Sequence, residues 1–353
     1  MARRSSTNMK DVATLAGVSL GTVSNVVNSP DLVSAATRDR VQLAITKLGW
    51  VPNESARQLR AGRSRVISVV VMDIGNPFFT DVLRGVEDWV LGQGYHVQAS
   101  NSASLAARER EQLRVLEQQR VGGVLWAPVS GPSEHADALR RRGIPVVIVD
   151  RAGDGSGYCS VSADDVEGGR LATSHLLAQG HRAIAVVGGP GSLHQVRDRR
   201  LGAELARTQH GDAASLLTVT TPSMEASSGV AAADQLVALP DAERPTAVFA
   251  MNDLLAIGLL QGFVTHGLRV PDDMALIGYD DISFAASAAV PLSSVRQPRA
   301  KLGERAAQLL FDEIEAADHD GAHEHQAVRF TPELVVRRST SPLAAAPGGS
   351  SAR

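Results

Sequence analysis

Along residues 8–50 the apolar positions recur at intervals of three and four, the spacing of helices that bury one face. Val12, Leu15 and Ala16 give the first such face. Asn8 is placed to cap that helix, with Asp11 as an acid at its positive start. Gly17 supplies a turn, and Ser19 is a natural cap for a second helix with Val23, Val26 and Val27 inward. Ser34 opens a third helix running to Trp50, with Val41, Leu43, Ala44, Ile45 and Leu48 turned inward. Val51-Pro52-Asn53 breaks it, and Asn53–Gly62 (NESARQLRAG) is a short helix-prone segment.

From Val66 the pattern changes to strands alternating with helices. Apolar strand runs fall at Val66–Met72, His96–Ala99, Gly123–Trp126, Pro145–Val149, Ala183–Val187, Leu216–Val219, Ala247–Ala250 and Met274–Ile277. Helical stretches fall at Phe78–Leu91, Ala106–Gln119, Ser133–Arg141, Asp164–Ala178, Val196–Thr208, Ser228–Val237, Leu254–His266 and Ala300–Ala317. This alternation predicts parallel sheets covered by helices, and two such sets imply two similar subdomains. The fold class expected is therefore an all-α helix-turn-helix head plus an α/β core of two parallel-sheet subdomains. The head should occupy 8–50, a hinge helix or linker 51–63, and the core 64–340. Crossings near Ala163, Pro291 and Phe330 would give one subdomain 64–162 and 292–329, the other 163–291 and 330–340. Residues 1–7 and the tail 341–353 (SPLAAAPGGSSAR from Ser341) are polar or low in complexity and are expected to be disordered.

Two short helices around a tight turn are the unit that places a second helix in the DNA major groove. The outer face of that helix offers Leu20, Gly21, Thr22, Ser24, Asn25 and Asn28, groups small or polar enough to meet base edges and phosphates. A three-helix bundle without nucleic acid is the plainer alternative, and charge argues against it. Residues 1–65 hold ten Lys/Arg and four acids, a net +6, which leaves −9 on the rest of a chain whose total is −3. A basic head on an acidic body suits phosphate binding.

Bulk properties exclude other classes. At 353 residues and 44% hydrophobic the chain supports more than one domain with a sizeable core. No apolar run reaches the roughly 18 residues of a membrane span. MARRSSTNMK carries no apolar stretch after its arginines, so no signal peptide is expected. The single Cys159 rules out an intrachain disulfide, fits a reducing cytoplasm, and reads as a small strand hydrophobe. His319, His323 and His325 crowd a helix end and read as a solvated surface; no metal or cofactor is expected. Gly188-Gly189-Pro190-Gly191 is neither GxGxxG nor a Walker sequence, and no nucleophile–base–acid set is visible, which sets an enzyme aside. The head, and the lack of a leader, set aside a solute-binding transport protein.

The DVA-LAGVS-TVS-VVN run, the VSAATRDRV helix and the VPN-A-QLRAG segment together resemble the amino terminus of the lactose/galactose repressor (LacI/GalR) family. The resemblance continues to about residue 340. It implies a headpiece, a hinge helix, and a core like the periplasmic sugar-binding proteins. It also implies a DNA-binding regulator, a repressor by family habit, switched by a small molecule. Leu20, Gly21 and Asn25 match its base-reading positions, with Thr22, Ser24 and Asn28 on phosphates. Ser19, Ser34, Thr37 and Asn53 complete the candidate DNA contacts. Leu59 matches the leucine wedged into the minor groove, with Arg57 and Arg60 following phosphates or the groove.

Ligands of open parallel sheets bind beyond the carboxyl ends of the strands. Those loops offer Phe78 and Phe79, Asp150, Gln195, Met224 where relatives carry an aromatic, Asn252, and Asp280 of a GYDD loop. Arg199-x-x-Gly202 matches the family's effector-contacting pattern, with Arg197 or Arg200 as alternatives. The expected partners are a pseudo-palindromic double-stranded operator, a second copy of the chain, and a small-molecule effector; no membrane partner is expected. A sugar or sugar phosphate leads, with a nucleoside or purine next. The tail shows no leucine heptad, so a dimer is expected rather than a tetramer. The expected location is the cytoplasm, on the nucleoid.

Overall fold

The computed structural model describes residues 7–51, 64–129, 131, 133–153, 157–211, 214–318, 321 and 323–340. The chain divides into two compact units, 1–64 and 65–353.

In the first unit α1 (Met9–Ala16), α2 (Leu20–Asn28) and α3 (Ala35–Leu48) pack around Val12, Val23, Val41, Ala44 and Trp50. Asn8 caps α1 with a capping box: its side chain accepts from Lys10 N and Asp11 N, while Asp11 Oδ2 accepts from Asn8 N at 2.9 Å. Gly17 takes φ +64°, the left-handed bend that reverses the chain between the helices. Ser19 Oγ accepts from Thr22 N at 3.1 Å and starts α2. Two apolar residues depart from expectation. Leu15 is 51% exposed, because the inward stripe of α1 runs through Val12, Ala13 and Ala16 and leaves it on the rim. Leu43 is 56% exposed. At about 100° per residue it lies about 200° round from Val41, on the outer face. Trp50 lies beyond the end of α3, folded back so that its N–H donates to Ile45 O at 3.1 Å.

The second unit opens with β1 (Val66–Val71), α4 (Pro77–Gly92), β2 (His96–Asn101), α5 (Ala106–Gln119), β3 (Gly123–Trp126), α6 (Glu134–Arg141), β4 (Val146–Val149) and β5 (Cys159–Ala163). The pattern repeats with α7 (Asp165–Ala178), β6 (Ala183–Gly188), α8 (His194–His210), β7 (Ser215–Thr220), α9 (Ala226–Val237) and β8 (Ala247–Ala250). It continues through α10 (Asp253–Thr265), β9 (Ala275–Asp280), α11 (Ser283–Ser287) and β10 (Ser293–Arg296). The chain ends in α12 (Arg299–Asp318), β11 (Ala327–Phe330) and β12 (Glu333–Val335). The sheets have orders β11-β5-β4-β3-β1-β2 and β12-β10-β9-β8-β6-β7. All pairings are parallel except the antiparallel β10–β12 pair. Each sheet is therefore doubly wound, with strand order reversing at β1/β3 and at β6/β8, where such sheets open a crevice at their carboxyl edge.

The crossing expected near Pro291 lies later. Ser293–Arg296 pairs with β9 and β12 and so belongs to the second sheet; the chain returns to the first half at Gln297-Pro298. The β5, β10, β11 and β12 strands were not foreseen because they are short and rich in serine or charge: CSVSA, SSVR, AVRF and ELV. Among the described residues no helix is long and apolar enough to cross a membrane.

Glycine pairs bring key helices to backbone contact. A Cβ on Gly202 of α8 would overlap the Val166 carbonyl of α7, and one on Gly169 would overlap the Arg199 carbonyl. Arg199-x-x-Gly202 therefore carries a packing requirement as well as a charge. The same device joins α4 to α12 through Gly85 and Gly303. Gly202→Ala should cost about 1–3 kcal/mol or more in chemical denaturation, the usual penalty of overpacking a rigid contact. An unchanged midpoint and slope would contradict this close approach.

Candidate functional site

The carboxyl ends of both sheets face one another across a cleft of about 330 Å³. Phe78, Phe79, Asp150, Gln195, Arg199, Met224, Asn252 and Asp280 all line it. Asn76, Ser104, Ser192, Ser223 and Glu225 join them, small or loop residues that carry no motif of their own. The Phe78 and Phe79 rings meet edge to face at 5.0 Å. Both sit at the start of α4, which Asn76 caps by accepting from Phe78 N at 3.0 Å.

Arg199 is the central charge. It is 3% exposed and lines the cleft, whereas Arg197 and Arg200 are exposed on α8 and do not line it. Its Nε donates to Asp165 Oδ1 at 2.8 Å, Nη1 donates to Met251 O, and Nη2 stands 3.8 Å from Asp280 Oδ1. The guanidinium lies over the Tyr279 ring, 3.7 Å from its centroid. Burial works against its charge, but Asp165, Tyr279, Asp280 and Asp150 together outweigh that and raise its pKa. The Arg199 partners Asp165 and Tyr279 were missed in the sequence; Asp165 stands in an acidic pair that reads as an ordinary helix start.

The carboxylates outnumber this cation. Asp150 ends β4 and Asp280 ends β9, both with left-handed backbone, φ +63° and +101°. Non-glycine residues pay for that conformation, and it aims side chains at strand ends rather than along the sheet. Burial pushes Asp280 up to about 6, Asp165 adds to the push, and Arg199, Gln297 and Arg299 hold it back. Gln297 Nε2 donates to its Oδ1 at 2.8 Å. Burial and then the Asp165 charge push Asp150 well above the ordinary range, against the pull of Arg199. Its carboxylate accepts no hydrogen bond among the described residues, although His194 Nε2 meets its backbone oxygen at 2.7 Å.

Asn252 is mostly committed to structure. Its Oδ1 accepts from Leu255 N at 2.9 Å as the cap of α10, and its Nδ2 donates to Met224 O at 2.9 Å. It holds the Met224 loop against the cleft and keeps one N–H for anything bound. Gln195 is the opposite case: its Oε1 is buried with no donor among the described residues.

On the head, Leu20, Gly21 and Asn25 are exposed on one side of α2. Ser19, Thr22, Ser24 and Asn28 are tied into the helix itself, Ser19 to Thr22 and Asn28 Nδ2 to Ser24 O at 2.9 Å. Ser34 caps no backbone N–H; its hydroxyl donates to Thr37 Oγ1 at 3.0 Å. Asn53, Arg57, Leu59 and Arg60 lie outside the described residues.

A helix-turn-helix head followed by two facing sheets with a charged cleft defines a ligand-responsive DNA-binding regulator. The family model for bacterial regulatory proteins of the lacI family matches residues 8–53, and that for a periplasmic binding protein-like domain matches 173–340. The chain is 34% identical over 336 residues to the HTH-type transcriptional repressor PurR of Photobacterium profundum, covering 95% of this chain and 99% of that one. It resembles the structure of the transcriptional regulator CelR–cellobiose complex, with TM-score 0.68 and 32% identity over 94% of this chain and 99% of that one. It also resembles the lac repressor dimer bound to operator and the anti-inducer ONPF, with TM-score 0.79 and 27% identity over 95% and 99% of the two chains. The chain belongs to the lacI family of bacterial regulatory proteins. It is a transcriptional repressor with an effector-binding core, not an enzyme.

The raised Asp280 pKa makes a pH prediction with a defined sign. A carboxyl that holds its proton more tightly folded than unfolded adds stability at low pH and loses that contribution as pH rises through about 6. Between about pH 4 and pH 6 the wild-type protein should lose roughly 1–3 kcal/mol that Asp280→Asn does not lose. Urea denaturation at several pH values measures both; parallel pH profiles would contradict the assignment.

Proposed function

We propose that the effector of this repressor is a neutral polyhydroxylated molecule, a sugar, bound among Phe78, Asp150, Gln195, Arg199 and Asp280. One observation carries the reading. A single buried guanidinium is shared among Asp150, Asp165 and Asp280, so the carboxyl groups of Asp150 and Asp280 keep hydrogen-bonding capacity toward the cleft that ligand hydroxyls can satisfy. The one buried cation is already engaged by Asp165 and the Met251 carbonyl, which leaves a phosphate poorly matched and argues against a sugar phosphate. The apolar wall of Phe78, Phe79 and Met224 suits the face of a sugar ring. The relatives named PurR favour a second reading, a purine stacked on Phe78.

On the DNA side the proposal gives Leu20, Gly21 and Asn25 to base edges and Ser24, Thr22, Asn28 and the Ser34–Thr37 pair to phosphates. Asn25 is exposed and has the donor and acceptor pair that matches an adenine edge. Two heads of a homodimer, acting where the chromosome is, read a pseudo-palindromic operator. Leu59, with Arg57 and Arg60, wedges the minor groove between half-sites, and Asn53 starts that segment. The effector favours one arrangement of the two core halves and so changes how the heads are presented.

The test is a thermal-shift screen of neutral sugars, phosphorylated sugars, and purine bases and nucleosides. Hits are then measured for their effect on binding to an operator selected from random DNA by the protein itself. A neutral sugar at about 100 times its dissociation constant should add roughly 2.7 kcal/mol of stability and change operator affinity. Asp280→Ala should keep operator binding and lose that response. A screen in which only purines stabilise the protein would replace the first reading with the second.

A further inference from the structure

We propose that Cys159, Glu313, His323 and His325 form a Zn²⁺ site at the amino edge of the first sheet. The four residues come from three places: Cys159 starts β5, Glu313 lies in the last turns of α12, and the histidines lie in the segment entering β11. Their ligating atoms all fall within 4.8 Å of one another. Cys159 Sγ is 3.1 Å from His323 Nε2 and 3.8 Å from His325 Nδ1, and His325 Nδ1 is 3.4 Å from Glu313 Oε1. A tetrahedral Zn²⁺ with Zn–S near 2.3 Å and Zn–N or Zn–O near 2.0–2.1 Å requires ligand atoms about 3.3–3.6 Å apart. Three of the six separations straddle that range, and the widest, up to 4.8 Å, must close when the ion binds.

The surroundings fit a metal better than a set of hydrogen bonds. Glu313 Oε1 is buried and makes no hydrogen bond among the described residues. Gln326 N donates to Cys159 Sγ at 3.3 Å, the kind of contact that supports a thiolate ligand. A cleft of about 170 Å³, lined by Glu313, His323 and His325, gives an ion access from solvent. Arg140 Nη2 now lies 3.3 Å from His325 Nε2. With metal on Nδ1 the Nε2 position carries the proton, and Arg140 gives up that contact for the Tyr158 ring, over which it already lies at 4.5 Å. One thiolate, one carboxylate and two imidazoles select Zn²⁺ over the hard cations Mg²⁺ and Ca²⁺. Four protein ligands leave no open position, so the site is structural, stapling α12 and the approach to β11 onto β5. Binding releases the thiol proton to solvent. The cleft described above lies at the opposite, carboxyl edge of the sheet, so the two sites are separate.

The test uses the full chain, stripped of metal and titrated with Zn²⁺ and Co²⁺. The expected result is one Zn²⁺ per chain, a Tm raised by several degrees, and a tetrahedral Co²⁺ spectrum with a thiolate charge-transfer band. Because Cys159 is the only cysteine, that band reports on it alone. Cys159→Ser should abolish the band, and His323→Gln should weaken Zn²⁺ binding at least tenfold while keeping the far-ultraviolet circular dichroism of the wild type. His210→Gln, on the exposed end of α8, should leave both unchanged. Failure to bind stoichiometric Zn²⁺, a Co²⁺ spectrum without the thiolate band, or Zn²⁺ affinity unaltered in His323→Gln would overturn the proposal, leaving a hydrogen-bonded cluster.

Discussion

A buried guanidinium lining the cleft organises the core. A buried cation persists only with charge and hydrogen bonds around it, and removing one partner of such a pair costs several kcal/mol. Arg199 obtains those partners from Asp165 at the start of α7, the Met251 carbonyl after β8, Tyr279 and Asp280 at the end of β9, and the more distant Asp150 at the end of β4. To reach them α8 must lie against α7 at backbone contact, which only Gly169 and Gly202 permit. One side chain therefore sets a helix pair, two strand ends and the charge of the cleft. Of the three carboxyl groups around that cation, Asp150 and Asp280 also line the cleft, and their hydrogen-bonding capacity is the feature the proposed effector answers.

The same region meets the crossing between the core halves. Arg299, at the start of α12, donates to Asp81 Oδ2 of α4 at 2.9 Å and to Asp281 O at 2.6 Å, with Asp280 O also in its reach. The strand end that carries Asp280 is thus hydrogen-bonded through Arg299 to a helix of the other half. Under the proposed reading a ligand that engages Asp280 acts on a residue already tied to the crossing. The typical scale for coupling between sites in such a protein is about 1–3 kcal/mol.

The helices of the head, their caps, and the β/α alternation were legible because each rests on local rules: spacing, capping, and runs of branched apolar residues. Ala106–Gln119 and Gly123–Trp126 match their expected bounds. The four edge-side strands were not legible, since CSVSA, SSVR, AVRF and ELV gain their identity from neighbours distant in sequence. That is also why the second crossing was expected several residues early. Leu15 and Leu43 misled for a related reason: hydrophobicity names candidates for a core, but angle around the helix chooses among them. The eight cleft residues came from strand-end position and resemblance, and they converge in space. Asp165 and Tyr279 did not stand out, because nothing local distinguishes a helix-start acid or a strand tyrosine from its structural use. The cluster of Cys159 with His323 and His325 spans over 160 positions and is visible only in three dimensions.

The organising role of Arg199 can be measured directly with a double-mutant cycle in chemical denaturation, using Arg199→Met, Asp165→Asn and the double variant. Each single change leaves a buried partner unmatched, so each should cost about 3–5 kcal/mol, while the double variant should cost far less than their sum. A coupling of about 2 kcal/mol or more is the expected result. Strictly additive losses, with coupling within about 0.5 kcal/mol of zero, would show that Arg199 and Asp165 do not depend on one another and would contradict this account of the core.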